Sequence, residues 1–175
     1  MRLVLDPTRS HVRAFTTTEG LLARLAHDLE VAVRDISGEA DEGTPAKATI
    51  RIGVGGIDVV GVVKRGVTHP NALAPWERDQ IALRMRTDVF SDSEEVRVEA
   101  TIDGDQARFE VILPHARESV RAPVALERSG HGVTVKGTLA ISLRGLGVGP
   151  LKGPMGAFVV ADRVRVVFDV TFTRP

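Results

Sequence analysis

The stretch Arg163-Val164-Arg165-Val166-Val167-Phe168-Asp169-Val170-Thr171-Phe172-Thr173 decides the fold. Val164, Val166, Phe168, Val170 and Phe172 share one parity; Arg163, Arg165, Asp169, Thr171 and Thr173 share the other, with Val167 the exception. Successive side chains on a strand point to opposite faces, so this alternation predicts a strand with one buried and one wet face. The same rhythm runs through 133–143, where Val133, Val135, Leu139, Ile141 and Leu143 oppose Thr134, Lys136, Thr138 and Ser142. It returns in Val96, Val98, Ala100 and Ile102, in Val120, Ala122, Val124 and Leu126, and in Ala48, Ile50, Ile52 and Val54. Phe109, Val111 and Leu113 make a shorter run.

Turn chemistry falls between these runs. Asp103-Gly104-Asp105 and Ser129-Gly130-His131-Gly132 each read as a hairpin connection. Pro123 inside a strand-like run predicts an edge position or a bulge, since proline brings no N–H to a ladder. Leu29, Val31 and Val33 are odd while Ile36 is even, so a bulge or sharp bend is expected near Arg34–Asp35. Two segments leave the β rhythm. Gly20-Leu-Leu-Ala-Arg-Leu-Ala26 reads as one or two helical turns. The stretch 75–89 reads as a helix, with Pro75 at its first position, Glu77 and Asp79 early, and Ile81, Ala82, Met85 and Val89 on one face. About nine strands with one inserted helix predict a mainly β fold. Closure into an antiparallel barrel is the simplest way to remove the edges of such a sheet.

The chain has 175 residues, a single-domain length, and no repeat or low-complexity segment divides it; one domain over 1–175 is expected. Cysteine is absent, which excludes disulfides, thiolate metal sites and cysteine nucleophiles. Lys plus Arg and Asp plus Glu both number 23, so the polycationic footprint of nucleic-acid binding is missing. The start MRLVLDPTRSH lacks the apolar core of a secretory signal, and no run nears the roughly 18 apolar residues of a membrane span. A soluble, cytoplasmic protein is the expectation.

The chemistry-bearing motifs are sparse. His11, His27, His69, His115 and His131 show no ligand spacing, and no metal or other cofactor is expected. The run Gly147-Val-Gly149-Pro-Leu-Lys152-Gly153-Pro-Met-Gly156 fails as a phosphate loop: Pro154 follows Gly153, and a strand rather than a helix comes next. It reads instead as a long flexible connection that can sit over a barrel mouth. Ser10-His11 cannot be a nucleophile and its base, because neighbours on a strand face opposite ways. No catalytic residue is nominated. His27-Asp28 reads either as a structural pair, with Asp28 fixing the turn, or as part of a ligand headgroup site.

A small barrel of about eight strands can be filled by side chains or can hold one ligand. The inward candidates here are mainly Val, Ile, Ala and Leu, with six Phe, one Trp and no Tyr in the chain. Walls that small leave space, and each methylene of a guest buried there gains about 0.8 kcal/mol.

The opening Leu5-Asp6-Pro7…Ser10-His11-Val12…Phe15 resembles the start of the YceI-like family. Gly20-Leu-Leu-Ala-Arg-Leu-Ala-His27-Asp28-Leu29…Ile36-Ser37-Gly38 resembles a variant branch of it. Glu77-Arg78-Asp79…Ile81…Val89-Phe90 is similar to the family's Arg-Asp…Leu…Phe segment, Val135-Lys136-Gly137-Thr138-Leu139 to its Gly-x-Leu-Thr strand, and the close to its final strand. The chain departs from the pattern after Leu139, where Ala-Ile-Ser-Leu-Arg replaces Gly-Val-Thr-x-Pro, and in its own Gly/Pro-rich 145–156 stretch. The resemblance implies a closed, lipocalin-like antiparallel barrel whose tunnel holds a long isoprenoid chain, such as a polyprenyl compound or a quinone tail. On that basis Phe15, Leu22, Leu25, Trp76, Ile81, Met85 and Phe90 are expected on the helix-side wall, with Arg24 and His27 facing a polar headgroup.

The leading expectation is therefore non-catalytic binding or carriage of an amphiphilic hydrophobic ligand. A filled barrel acting as a structural or interaction module is the alternative, and an enzyme built at the barrel mouth a third reading. The edge near Pro123 is also a place where a two-fold dimer could form.

Overall fold

The computed structural model describes residues 1–20, 26–156 and 158–175. The strands are β1 (Arg2–Leu5), β2 (His11–Phe15), β3 (Thr18–Glu19), β4 (Asp28–Val33), β5 (Ile36–Asp41), β6 (Ala46–Gly53), β7 (Ile57–Lys64), β8 (Val67–His69), β9 (Glu95–Asp103), β10 (Gln106–Leu113), β11 (Ala116–Ser129), β12 (Gly132–Ser142), β13 (Val159–Val160) and β14 (Arg163–Thr173). One α-helix, α1 (Pro75–Arg84), lies between β8 and β9 and runs on into a π-helical turn, Met85–Val89. The strands outnumber the nine expected partly because three long courses are each broken once: β1/β2, β4/β5 and β6/β7 are halves of continuous runs.

The ladders run β1-β5-β6-β9-β10-β11-β12-β14 and return to β1 through Val4↔Thr173 and Leu5↔Phe172. The result is a closed antiparallel barrel of eight strands. Its core holds the alternating residues read from the sequence, among them Ala100, Phe109, Val135, Leu139, Phe168, Val170 and Phe172. The second branch β14-β2-β4-β7-β8 carries the broken courses onward towards one end of the barrel.

Each break has a local cause. In the first course the 3-10 turn Pro7–Arg9 interrupts pairing with β14, and Ser10 repairs it. The Ser10 hydroxyl accepts the Thr171 N–H at 3.0 Å and donates to the Asp6 carbonyl at 2.7 Å, while the Asp6 N–H donates to the Thr171 carbonyl. Ser10 and Thr171 are both buried, so these groups have no water to fall back on. The second and third courses turn together, at Arg34–Asp35 as the parity change predicts. Arg34 N–H donates to the Gly56 carbonyl at 2.7 Å, and Gly53 N–H to the Asp35 carbonyl at 3.0 Å. The corner is tight enough that a Cβ on Gly56 would stand 2.7 Å from the Asp35 backbone nitrogen.

A further irregularity, absent from the sequence reading, lies in β4–β7. Val59 pairs with Val31 and Gly61 with Glu30, leaving Val60 as an extra residue. The extra residue shifts parity, so Val59 and Val62 both turn into the interior. They pack with Leu73 against Leu29, Ile81 and Met85, which seats α1 beside the barrel. Glu30 points to the opposite face, where β8 covers it; its carboxylate accepts from Arg13 at 2.8 Å and from the Thr68 hydroxyl. Pro123 marks where the β11–β12 register begins, at Val124↔Gly137, and nearer the end of β12 the Glu118 carboxylate accepts the Ser142 N–H instead.

The helix expected over 75–89 is present. Pro75 occupies its first turn, and the Glu77 carboxylate accepts the Ala74 N–H at 2.7 Å. A short helical turn near the N-terminus is present at Pro7–Arg9. The Leu-rich turn expected from Gly20 to Ala26 falls on residues 21–25, outside the described residues. Hairpins at 42–45, 104–105 and 130–131 close one end of the barrel. The other end carries α1, the 16–27 connection and the 143–162 connection, whose base is held by Asp162. Its carboxylate accepts the Arg144 N–H at 2.9 Å and the Ser142 hydroxyl at 2.8 Å.

Two outcomes follow. Ser10→Ala strands the buried Thr171 N–H, and denaturant unfolding is expected to show a loss of about 2 kcal/mol; an unchanged midpoint would remove the hydroxyl from the closure of the barrel. The hydrogen bond from the Arg144 backbone N–H, then that from Ser142, holds the Asp162 carboxyl below its ordinary value. A depressed folded-state pKa means stabilisation that is complete above the unfolded value and lost as pH falls through the folded one. Exchange protection of the Arg144 amide is therefore expected to hold at neutral pH and to be lost only as pH falls below the ordinary carboxylate range, with Asp162→Asn weakening it at neutral pH.

Candidate ligand-binding cavity

The side chains do not fill the barrel. A cavity of about 610 Å³ runs from the closed end to the α1 end, within the range of roughly 300–1,000 Å³ typical of small-molecule sites. The filled barrel that stood as the alternative requires ordinary interior packing, which this interior lacks.

The wall is built by strand parity. β14 contributes Val164, Val166, Phe168, Val170 and Phe172, and β9 contributes Val96, Val98, Ala100 and Ile102. β4 and β6 add Leu29, Val31 and Val33, with Ala48, Ile50 and Ile52 opposite. Towards the closed end Phe109 and Phe168 meet edge to face, centroids 5.4 Å apart. Gly137 makes that arrangement possible: a Cβ there would sit 2.6 Å from the Phe168 ring. Walls of this kind offer few of the two to four hydrogen-bond partners that a held water needs. They suit a flexible apolar guest.

Among the described residues, the polar groups of the lining gather towards the α1 end. Helix α1 and its π turn present Ile81, Arg84, Met85, Asp88, Val89 and Phe90 to the cavity, with Arg84 and Asp88 paired at 3.3 Å one turn apart. The connection 143–162 folds back on itself there. The Gly153 N–H donates to the Phe158 carbonyl, the Val160 N–H to the Leu151 carbonyl, and β13 pairs with β3. Leu151, Lys152, Phe158 and Val160 of this flap line the cavity. Thr16, Thr18 and His27 line it from the other connection. Thr16 accepts the Leu29 N–H, and Asp28 accepts both the N–H and the hydroxyl of Thr18. Asp28 thus ties the connection to β4, the structural member of the His27-Asp28 pair.

The residues nominated from sequence separate into three groups. Ile81, Met85, Phe90 and His27 line the cavity. Phe15 and Trp76 are not part of the lining. Phe15 lies on the outer face of β2 with the Arg165 guanidinium 4.3 Å above its ring, and Trp76 stands 63% exposed on the outer side of α1. Leu22, Arg24 and Leu25 lie outside the described residues. Sequence reasoning missed Arg84, Asp88, Lys152 and Phe158. The first two were within reach, since residues 84 and 88 follow Ile81 at helical spacing; nothing local marks the other two. Among the described residues no three His, Asp or Glu side chains stand close enough to hold a metal, and no helix is long and apolar enough to cross a membrane.

Known family models and curated protein sequences give no match to this chain. Solved structures do. BcnA from Burkholderia cenocepacia superposes with a TM-score of 0.64 at 18% identity, covering 95% of this chain and 98% of that one. A polyisoprenoid binding domain from Saccharophagus degradans, implicated in plant cell wall breakdown, superposes at 0.67 with 14% identity, covering 99% and 98%. At such identities the likeness is one of fold. The closed eight-stranded antiparallel barrel of this chain is similar in fold to both, and it is the fold implied by the YceI-like resemblance.

Proposed function

We propose that the protein is a non-catalytic binder or carrier of an amphiphilic lipid with an isoprenoid-like chain. The observation that carries this reading is the unfilled, aliphatic interior of about 610 Å³ whose polar lining groups, among the described residues, stand at one end. A guest with a long apolar chain and one polar head matches that distribution: the chain lies along β14, β9 and β6, and the head meets His27, Arg84, Asp88 and Lys152. Ile81, Met85 and Phe90 are the helix-side contacts, and Leu22, Leu25 and Arg24 remain candidates on the 16–27 connection. Support for an isoprenoid comes from the fold shared with the polyisoprenoid binding domain and from the methyl-branched chemistry of such chains, which fits walls of Val, Ile and Leu.

Native mass spectrometry of gently purified protein, followed by organic extraction, is expected to reveal a near-stoichiometric isoprenoid. An apo mass unchanged by incubation with quinones and polyprenyl lipids would defeat the proposal. Ala100→Phe places a ring in the cavity and Met85→Asp places a charge on its wall. Both are expected to cut uptake of a fluorescent polyprenyl probe by about tenfold or more, since several methylenes at about 0.8 kcal/mol each lose their burial. Val4→Thr, exposed on β1 and absent from the wall, is expected to leave uptake unchanged.

A further inference from the structure

The outer surface of the α1 end carries a second feature. Among the described residues six large apolar side chains are exposed, and four of them stand at this end: Val67 (58%), Trp76 (63%), Leu83 (61%) and Met155 (105%). They come from three separate elements. Val67 begins β8 just after the tight β7–β8 turn, where Arg65 and Gly66 both have positive φ. Trp76 and Leu83 are seven residues apart on α1, two turns along its outer side, opposite the Ile81 and Met85 side that packs inward. Met155 is the tip of the flap over the cavity, held in a left-handed conformation at φ 55° that presents its whole side chain to solvent.

These side chains are single and spaced, with charged residues between them, rather than one continuous patch. A protein partner needs a contiguous complementary surface. A fluid bilayer surface conforms to scattered insertions, and tryptophan favours the depth at which chain and headgroup meet. The charges agree. Lys64 and Arg65 at the β7–β8 turn, Arg86 on the π turn and Lys152 on the flap have no ion-pair partner among the described residues, beside the one exposed carboxylate, Asp79, between Trp76 and Leu83 on α1, so their ammonium and guanidinium groups are available to lipid phosphates.

We propose that the α1 end is a membrane-docking face, on which Trp76, Leu83, Val67 and Met155 enter the headgroup region of a phospholipid bilayer and Lys64, Arg65, Arg86 and Lys152 meet its phosphates, setting the cavity opening against the membrane. The proposal rests on the guest-binding reading for its purpose, since a bilayer is where an amphiphile would be taken up or released, but its evidence lies on the outer surface. It commits to a lipid surface; a protein partner is an outcome that would overturn it.

Trp76 is the only tryptophan in the chain, so intrinsic fluorescence reports this face alone. Adding vesicles of phosphatidylcholine with phosphatidylglycerol is expected to shift the emission to the blue, and lipids brominated near the headgroup are expected to quench it. Leu83→Asp and Met155→Asp together are expected to reduce vesicle partitioning by about tenfold, with the melting temperature and polyprenyl-probe uptake unchanged. Partitioning is also expected to weaken when phosphatidylglycerol is left out or salt is raised. Unchanged Trp76 emission in a protein that still takes up the probe would overturn the docking face and leave the guest-binding reading intact. Trp76 insertion in a protein that takes up no probe would do the reverse. Equal partitioning of the double variant, or protection of Trp76 only by a second protein, would also overturn the proposal.

Discussion

The barrel depends on β14 serving two neighbours along one edge. Its other edge pairs with β12 over the full length, from Arg163↔Ser142 to Thr173↔Gly132. On the shared edge β2 occupies Arg165 to Asp169 and β1 occupies Phe172 and Thr173. The chain between β1 and β2 must leave the ladder and rejoin it within five residues, at a depth where an unpaired backbone group costs roughly 1–3 kcal/mol. Asp6 and Ser10 meet that demand from either side of the Pro7–Arg9 turn, with Asp6 also accepting the Thr8 N–H and hydroxyl. One serine hydroxyl, read as a failed nucleophile by its adjacency to His11, is a structural member of the ring.

Once the ring is closed, its circumference is fixed by eight strands, and the volume of the inward side chains decides what the inside becomes. Phe109, Phe168 and Phe172 populate the deeper part of the wall, whereas Ala14, Ala48 and Ala100 leave depth unfilled along it. The opening in the middle of the barrel is therefore a consequence of residue size rather than of any missing strand. The same constraint explains Gly137, where the absence of a side chain admits the Phe168 ring to its edge-to-face contact with Phe109.

The cavity wall was legible in the sequence to the extent that it follows strict parity. The five alternating apolar positions of β14 (Val167, the exception, aside) and all four of β9 line the cavity, as their alternation requires. Phe15 could have been excluded on the same rule, because Val12 and Ala14 hold the inward parity of β2 and Phe15 shares the outward one with Arg13. Trp76 is five residues before Ile81, about 140° around a helix of 3.6 residues per turn, so the stripe that seats α1 turns it outward. What parity cannot reach is the extra residue at Val60, which is visible only as a register shift between two strands. Lys152 and Phe158 were equally out of reach, because their place depends on how a loop folds back on itself. Residues 21–25 lie outside the described residues, so the Leu-rich turn has no structural counterpart to set beside its reading.

The two ends of the barrel differ in how firmly they are tied. Around the ring, ladders such as β12–β14 and β9–β10 join strands over seven to eleven residue pairs. Over the opening, the flap is joined to the 16–19 segment by Val159↔Glu19, Val160↔Thr18 and the Ala161 N–H to the Thr17 carbonyl. The two pairs between β13 and β3 are as few as the two that close the ring between β1 and β14, but they form a separate two-stranded sheet. The base of the flap is anchored by Asp162 through Arg144 and Ser142, below the segment carrying Leu151, Phe158 and Met155. The same segment thus has an apolar inner side that completes the cavity wall and an exposed apolar tip beyond it. On the proposed reading, the head of a guest at this end would meet Lys152 of the flap and the Arg84–Asp88 pair of α1, which line the same end of the cavity.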